Sequence, residues 1–450
     1  MAFLRFAPAG RCLIAGLLGT SGLLQAQTIP PSDNRAPVGT VGSGIRSGVE
    51  LHTGASRSDN IERVPTAKSS DTIVTIGSTL DFARDGRFYD AEVLGEIDWT
   101  NYLDNSFESR VLGNVNAVLN ADFVPDRFSW FAQETFGQLR TDPFSPVTPD
   151  TLENVSYFTT GPRLQIGLGS SGRLVLAGTY SLAEYEKTNL DTDGYGGSIA
   201  VIRALSHISS ISLNFINERL EFDEMVAADY DRRSAYLQYT IQGARTAVTA
   251  DAGYSQVSGV GDDQSGVLAR LSAERLVSPS TRISLFAMDQ ISDSVDVFRS
   301  DAATRSITRP LNGISTASAM EERGYGLGWV FSRARTNFSF SASRKEELYD
   351  LVSELDRKVT SLQFSFVRRL GPITTLALDV RYDDEEFDNV NFDDQELEAR
   401  AELRWALGRR LGAGLRFERF DRDSNNPATE YVENRVGLNV YWQAIGGQAE

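Results

Sequence analysis

The chain of 450 residues contains one cysteine, two histidines and four methionines. A disulfide framework or a Cys/His metal cluster needs several such residues, so both are excluded. Basic residues are also in deficit: 44 Lys and Arg against 61 Asp and Glu give a formal charge of −17. That sign argues against a nucleic-acid binder, because phosphates would be repelled rather than neutralised. Long apolar runs are missing as well. The segment Cys12–Leu24 has 13 residues, short of the ~20 that a helix needs to cross a bilayer. What is plentiful is an unusual pairing of 38 glycines with 10% aromatic residues.

The short apolar run does have a reading. Arg5 and Arg11 precede it and the small residue Ala26 follows it, the pattern of a secretory signal peptide over 1–26. No cysteine stands at the cleavage point, so a lipoprotein anchor is not expected, and Cys12 is removed with the signal. Residues 27–42 are rich in Pro, Gly and polar side chains and read as a flexible periplasmic leader. They are too few for a plug domain or a periplasmic repeat domain.

From about Ser43 onward one period dominates, strict alternation over 9–14 residues, with no convincing amphipathic helix. In Thr72–Phe82, Val74, Ile76, Leu80 and Phe82 interleave with Ile73, Thr75, Gly77, Thr79 and Asp81. The clearest case is Glu396–Leu407. There Leu397, Ala399, Ala401, Leu403, Trp405 and Leu407 face one way, and Glu396, Glu398, Arg400, Glu402 and Arg404 the other.

The connections sort by length. Short turns, such as Ala83–Arg87, Phe123–Arg127, Val277–Thr281 and Gly408–Arg410, alternate with long polar segments, such as Thr141–Glu153, Ser292–Glu322 and Asp384–Gln395. Basic residues gather at the short turns and acids in the long segments. Such sorting is expected when adjacent strands run up and down between two different environments, with short periplasmic turns and long extracellular loops. The fold class that follows is all-β: a transmembrane antiparallel up-and-down β-barrel of about 18–20 strands, with 20 preferred. The first strand is expected at Gly44–Thr53 and the last at Tyr431–Trp442. The barrel then occupies 43–442 and a tail 443–450. Tyr89, Trp99, Tyr239, Tyr325, Trp329, Trp405 and Trp442 suit the aromatic girdles of such a barrel.

The last strand carries a motif. Arg435-Val-Gly437-Leu-Asn-Val440-Tyr-Trp442 resembles the C-terminal assembly signal of outer-membrane proteins, in which Gly437, Val440 and Trp442 are the signal positions. The tail after Trp442 departs from it, since such signals usually end on the aromatic. The segment Ser47–Ile61, followed by Asp71–Leu80, resembles β-barrel porins encoded with exopolysaccharide biosynthesis and secretion genes, including those of exosortase-linked systems. That resemblance implies a role in passing polysaccharide across the outer membrane of a Gram-negative bacterium, and it brings no catalytic residues. Expected partners are outer-membrane lipid and lipopolysaccharide, the barrel-assembly machinery and periplasmic polysaccharide-export components.

Candidates for chemistry are few. His52 and His207 are the only imidazoles, and neither shows a nearby serine or acid pair in sequence, so no enzyme, cofactor or metal is expected. Asp191-Thr-Asp193-Gly194 resembles a piece of a calcium loop, but Ile202 stands where a bidentate Glu belongs. The run Asp383–Asp388, with Asp393 and Asp394, reads as a hydrated loop, or as a cation bridge to lipopolysaccharide. By alternation, Asp379, Arg381, Glu396, Glu398, Arg400, Glu402, Arg404, Arg416, Glu418, Glu433 and Arg435 point into the lumen. Neighbouring opposite charges there either stiffen the wall or form a polar track that selects the solute. The longest connection, Ser292–Glu322, either folds inward as a constriction or stays outside. Three functions fit: a channel assisting exopolysaccharide export, a small-solute diffusion porin, or a surface-binding barrel without flux.

Overall fold

The computed structural model describes residues 45–223, 229–259, 263–298 and 313–445. The expected signal segment 1–26, the expected leader 27–42 and residues 299–312 of the longest connection lie outside the described residues. Alternation becomes twenty strands. The first ten are β1 (Ile45–Ser58), β2 (Asp71–Asp85), β3 (Tyr89–Tyr102), β4 (Arg110–Val124), β5 (Phe128–Arg140), β6 (Leu152–Leu168), β7 (Gly172–Tyr185), β8 (Thr192–Ala204), β9 (Ser209–Phe222) and β10 (Tyr230–Gln242). The rest are β11 (Thr246–Ser258), β12 (Gln264–Ser278), β13 (Thr281–Ser292), β14 (Met320–Arg333), β15 (Thr336–Tyr349), β16 (Arg357–Arg369), β17 (Thr374–Phe387), β18 (Asp393–Ala406), β19 (Leu411–Ser424) and β20 (Tyr431–Ile445).

Every strand pairs antiparallel with its neighbours in sequence, and β1 pairs with β20 from Val49 opposite Ile445 to Ser58 opposite Arg435. The sheet is therefore closed. Closure matters because an unpaired backbone group in lipid costs several kcal/mol, and only a closed sheet leaves no edge. No described helix is long and apolar enough to cross a membrane.

The two faces are inverted relative to a soluble protein. Leu51, Ile76, Trp99, Ile199, Leu213, Val267, Tyr325, Leu327 and Leu438 are exposed on the outside, an apolar belt far too extensive for water. The girdle aromatics Trp99, Tyr239, Tyr325, Trp329 and Trp442 are exposed on this outer face. Charged and hydroxyl side chains turn inward, among them Thr135, Glu347, Arg357, Arg422 and Glu433, all buried.

The short turns fall where the length pattern puts them, down to the two residues Pro279-Ser280 between β12 and β13. The long segments are shorter than expected, because strands continue past the expected loop edges: β1 runs to Ser58 rather than Thr53, and β17 to Phe387, past Asp384; at the opposite rim β20 runs to Ile445 rather than Trp442. Polar residues above the lipid still satisfy their backbones by pairing, so the ladder does not stop where the apolar pattern does. For the same reason the acidic run is not a loop. Asp383 and Glu385 lie inside β17, buried and facing the lumen. Ser361 donates to Asp383 at 2.6 Å, and Glu385 lies 3.5 Å from Arg357. The described contacts therefore correct the reading of these two acids as a hydrated or cation-bridging loop.

Candidate lumenal site

The described parts of the longest connection, 293–298 and 313–319, turn inward. From the end of β13 the chain makes a helical turn at 294–298. Val295 and Phe298 pack on Leu139, Val155, Tyr157, Ala183 and Tyr185 of β5, β6 and β7, across the lumen, with Leu190 beside them. Phe298 is fully buried. The returning chain pairs with the end of β5: the Arg140 amide donates to Gly313 O at 3.1 Å and the Ser315 amide to Arg140 O at 2.9 Å. Near β10, Arg232 reaches Asp293 at 3.2 Å and also pairs with Asp296, while Tyr230 donates to Asp293 at 3.0 Å. Burial first, and then the neighbouring Asp296, raise the Asp293 carboxyl to about 6, with Arg232 opposing.

A second inward segment is the β5–β6 connection, 141–151. Its Phe144 ring lies 4.9 Å from Phe387 and 5.3 Å from Phe392, rings at the ends of β17 and before β18. Arg140, at its root, lies 3.4 Å from Glu385 of β17 and donates to Pro143 O at 2.6 Å. Arg63, from the β1–β2 connection, donates to Val147 O of the same segment and pairs with Glu433 at 2.9 Å. Burial alone would lower the Arg63 pKa, but Tyr431 and Glu433 raise it above its ordinary value.

Beneath this roof lies a cavity of about 270 Å³, walled by the lumenal faces of β1–β4 and β17–β20. The structure places all eleven sequence-predicted lumenal residues on the inward faces of β17–β20. Arg381, Glu396, Glu398, Arg400, Arg416, Glu418 and Arg435 line the cavity; Asp379, Glu402, Arg404 and Glu433 stand on the same wall beside it. Asp379 is opposite Arg400 in register, and Arg381 opposite Glu398. Arg400 reaches Glu418 at 2.8 Å, Arg416 reaches Glu402 at 3.6 Å, and Arg404 reaches Glu50 of β1 at 2.5 Å. Glu433 accepts from Ser58 at 2.6 Å and pairs with Arg435 at 2.5 Å. Glu396 stands 3.6 Å from Arg422, which also holds Asp394 at 2.6 Å. Arg404 stacks 3.5 Å over the Tyr441 ring, and the Tyr441 hydroxyl donates to Glu402. The wall is thus both a stiffening network and a charged lining.

The assembly-signal residues divide by parity. Val440 and Trp442 are exposed on the lipid face, while Gly437 is buried on the lumenal face. Sequence reasoning missed several residues. His52 does meet an acid pair, Glu96 and Asp98, correcting the reading that neither histidine has one. The alternation of Tyr89–Tyr102 would have put both acids on one face, but nothing local links β3 to β1. Arg63 and Arg140 carry no sequence signal, since both stand at or beyond strand ends.

Fold and wall together define a closed transmembrane β-barrel with an apolar outer belt and a charged lumen, the architecture of Gram-negative outer-membrane barrels. Residues 352–444, in the C-terminal strands, match the family model described as "Putative beta-barrel porin 2". No curated protein matches the sequence. Among solved structures, the chain is similar to the siderophore receptor PirA from Pseudomonas aeruginosa, at 10% identity, 88% of this chain, 80% of that chain and a TM-score of 0.42. It is similar to Pseudomonas aeruginosa OccK2, solved in complex with glucuronate, at 10% identity, 89% and 98% coverage and a TM-score of 0.36. A BenF-like porin from Pseudomonas fluorescens Pf-5 matches at 11% identity, 89% and 98% coverage and a TM-score of 0.38. Likenesses this low transfer neither substrate nor mechanism.

Proposed function

We propose that the chain is a diffusion porin for small hydrophilic solutes. The observation that carries this reading is the pair of inward segments, 141–151 and the described parts 293–298 and 313–319 of the longest connection, that reach across the lumen above a charged cavity of about 270 Å³. That volume is just below the ~300–1,000 Å³ typical of small-ligand sites. Solutes would be screened by size at the roof and by charge along the arginine and carboxylate wall. Export of an exopolysaccharide, implied by the resemblance at the N-terminal strands, would require both crossing segments to leave the lumen together. The packing of Phe298 and Phe144 against opposite walls argues for the small-solute reading instead.

No catalytic role is part of this proposal. Outer-membrane lipid and the barrel-assembly machinery are the proposed partners, the latter through Gly437, Val440 and Trp442. Liposome swelling with saccharides of increasing size tests the function. Uptake of mono- and disaccharides with exclusion of long oligomers is expected; passage of a polymer, or no passage at all, would sink the proposal.

A further inference from the structure

Glu96 and Asp98, two residues apart on β3, face the lumen together, and His52 on β1 reaches them across β2. The His52 Nε2 lies 2.7 Å from Asp98 Oδ1 and 3.5 Å from Glu96 Oε1. One donor atom from each residue lies within 4.8 Å of the others. The strand between them contributes Gly77, which stands in register with both His52 and Asp98. A Cβ at position 77 would overlap the Asp98 carboxylate and stand 2.7 Å from His52 Nε2. The three side chains meet only because the intervening residue has none. All three line the lumenal cavity, so a solute in the lumen has access to them.

We propose that His52, Glu96 and Asp98 form a transition-metal site in the barrel wall, suited to Zn²⁺ or a similar first-row divalent ion. One imidazole nitrogen with two carboxylate oxygens is a donor set that such ions accept and that Ca²⁺ and Mg²⁺, which prefer all-oxygen shells, do not favour. Bonds of ~2.0–2.1 Å in tetrahedral geometry put ligand atoms about 3.3 Å apart. The His52 to Glu96 spacing fits, and rotation of the Asp98 carboxylate opens the shorter one. Two carboxylates offset the charge of a divalent ion, and three protein ligands leave a coordination position facing the cavity. Arg400 and Arg416 line the same cavity, so an anion held by them could occupy that position. The alternative is a purely structural hydrogen bond from His52 to Asp98. Barrels fixed by strand pairing on both sides hold the three donors on rigid elements, which favours a preorganised site.

The site is tested on the purified full barrel in detergent, independently of any flux. After treatment with a chelator, titration with Co²⁺ should give visible d–d bands that saturate at one equivalent and are displaced by Zn²⁺. His52→Ala and Asp98→Asn should each weaken binding by roughly 100-fold or more, since even outer-shell changes cost ~10–100-fold. Gly77→Ser, which fills the gap between the donors, should do the same, while His207→Ala should bind as the parent does. A heat-dependent shift in gel mobility reports whether each variant is folded. Asp98→Asn preserves shape and hydrogen bonding, so it keeps the test open if His52→Ala does not fold. Absence of binding by the parent barrel, or parental affinity in folded His52→Ala or Asp98→Asn, would overturn the proposal.

Discussion

Arg140 ties three walls of the lumen together: its backbone pairs with Gly313 and Ser315 of the long inward segment, and its side chain reaches Glu385 of β17 and the carbonyl of Pro143. It is 2% exposed. Removing one partner of a buried pair costs about 3–5 kcal/mol, because the other charge is left in place. Arg140→Met should therefore lower the urea midpoint and raise single-channel conductance, as the roof loosens. Glu385 keeps Arg357 at 3.5 Å, so the loss should be partial. Asp293 gives a pH dependence. Its carboxyl is raised to about 6 in the docked segment, by burial and then by Asp296, against ~3.9 for a free Asp. The docked form therefore binds the proton more tightly than a released form, in which the carboxyl is ordinary. Docking is strengthened as pH falls from about 6 towards 4 and loses that contribution above about 6. Conductance should fall on acidification through this window. The groups facing Asp293 are Arg232, Tyr230, Asp296 and Glu218. In Asp293→Asn the acid response should flatten, and an unchanged response would count against this residue.

At the scale of elements, the two crossing connections decide how open the barrel is. Phe298 is fully buried among Leu139, Val155, Tyr157 and Tyr185. Truncation of such a ring costs about 3–5 kcal/mol, here charged against docking of the segment rather than against the strands. Phe298→Ala should raise conductance and the swelling cut-off while leaving the heat-shifted gel mobility unchanged. The periodicity of Ser292–Glu322 announced a long connection but not its direction. That direction is set by apolar partners on β5–β7, far away in sequence, so no local pattern could carry it. Strand ends were misread for a related reason: apolar alternation reports lipid contact, whereas Asp383 and Glu385 continue β17 by backbone pairing and lumenal ion pairs.

For the whole molecule, closure rests on β1 meeting β20. Deleting Tyr431–Ile445 would expose two strand edges to lipid, and the expected outcome is loss of the heat-modifiable band and of accumulation in the outer membrane. The wall of β17–β20 should set selectivity: Arg400→Gln removes a cavity-lining cation and should shift the reversal potential in a salt gradient towards cations. The sequence by itself determined the barrel, because lipid outside and water inside force a two-residue period that survives in every strand. It determined the inward placement of Asp379, Arg381, Glu396 through Arg404, Arg416, Glu418, Glu433 and Arg435 for the same reason. Only the tertiary structure decided that the lumen is crossed by two segments, that Arg63 and Arg140 anchor them, and that His52 meets Glu96 and Asp98 over Gly77. Each of these depends on curvature bringing distant strands within a few ångströms, and a strand's period records which face a residue takes, not what stands across from it.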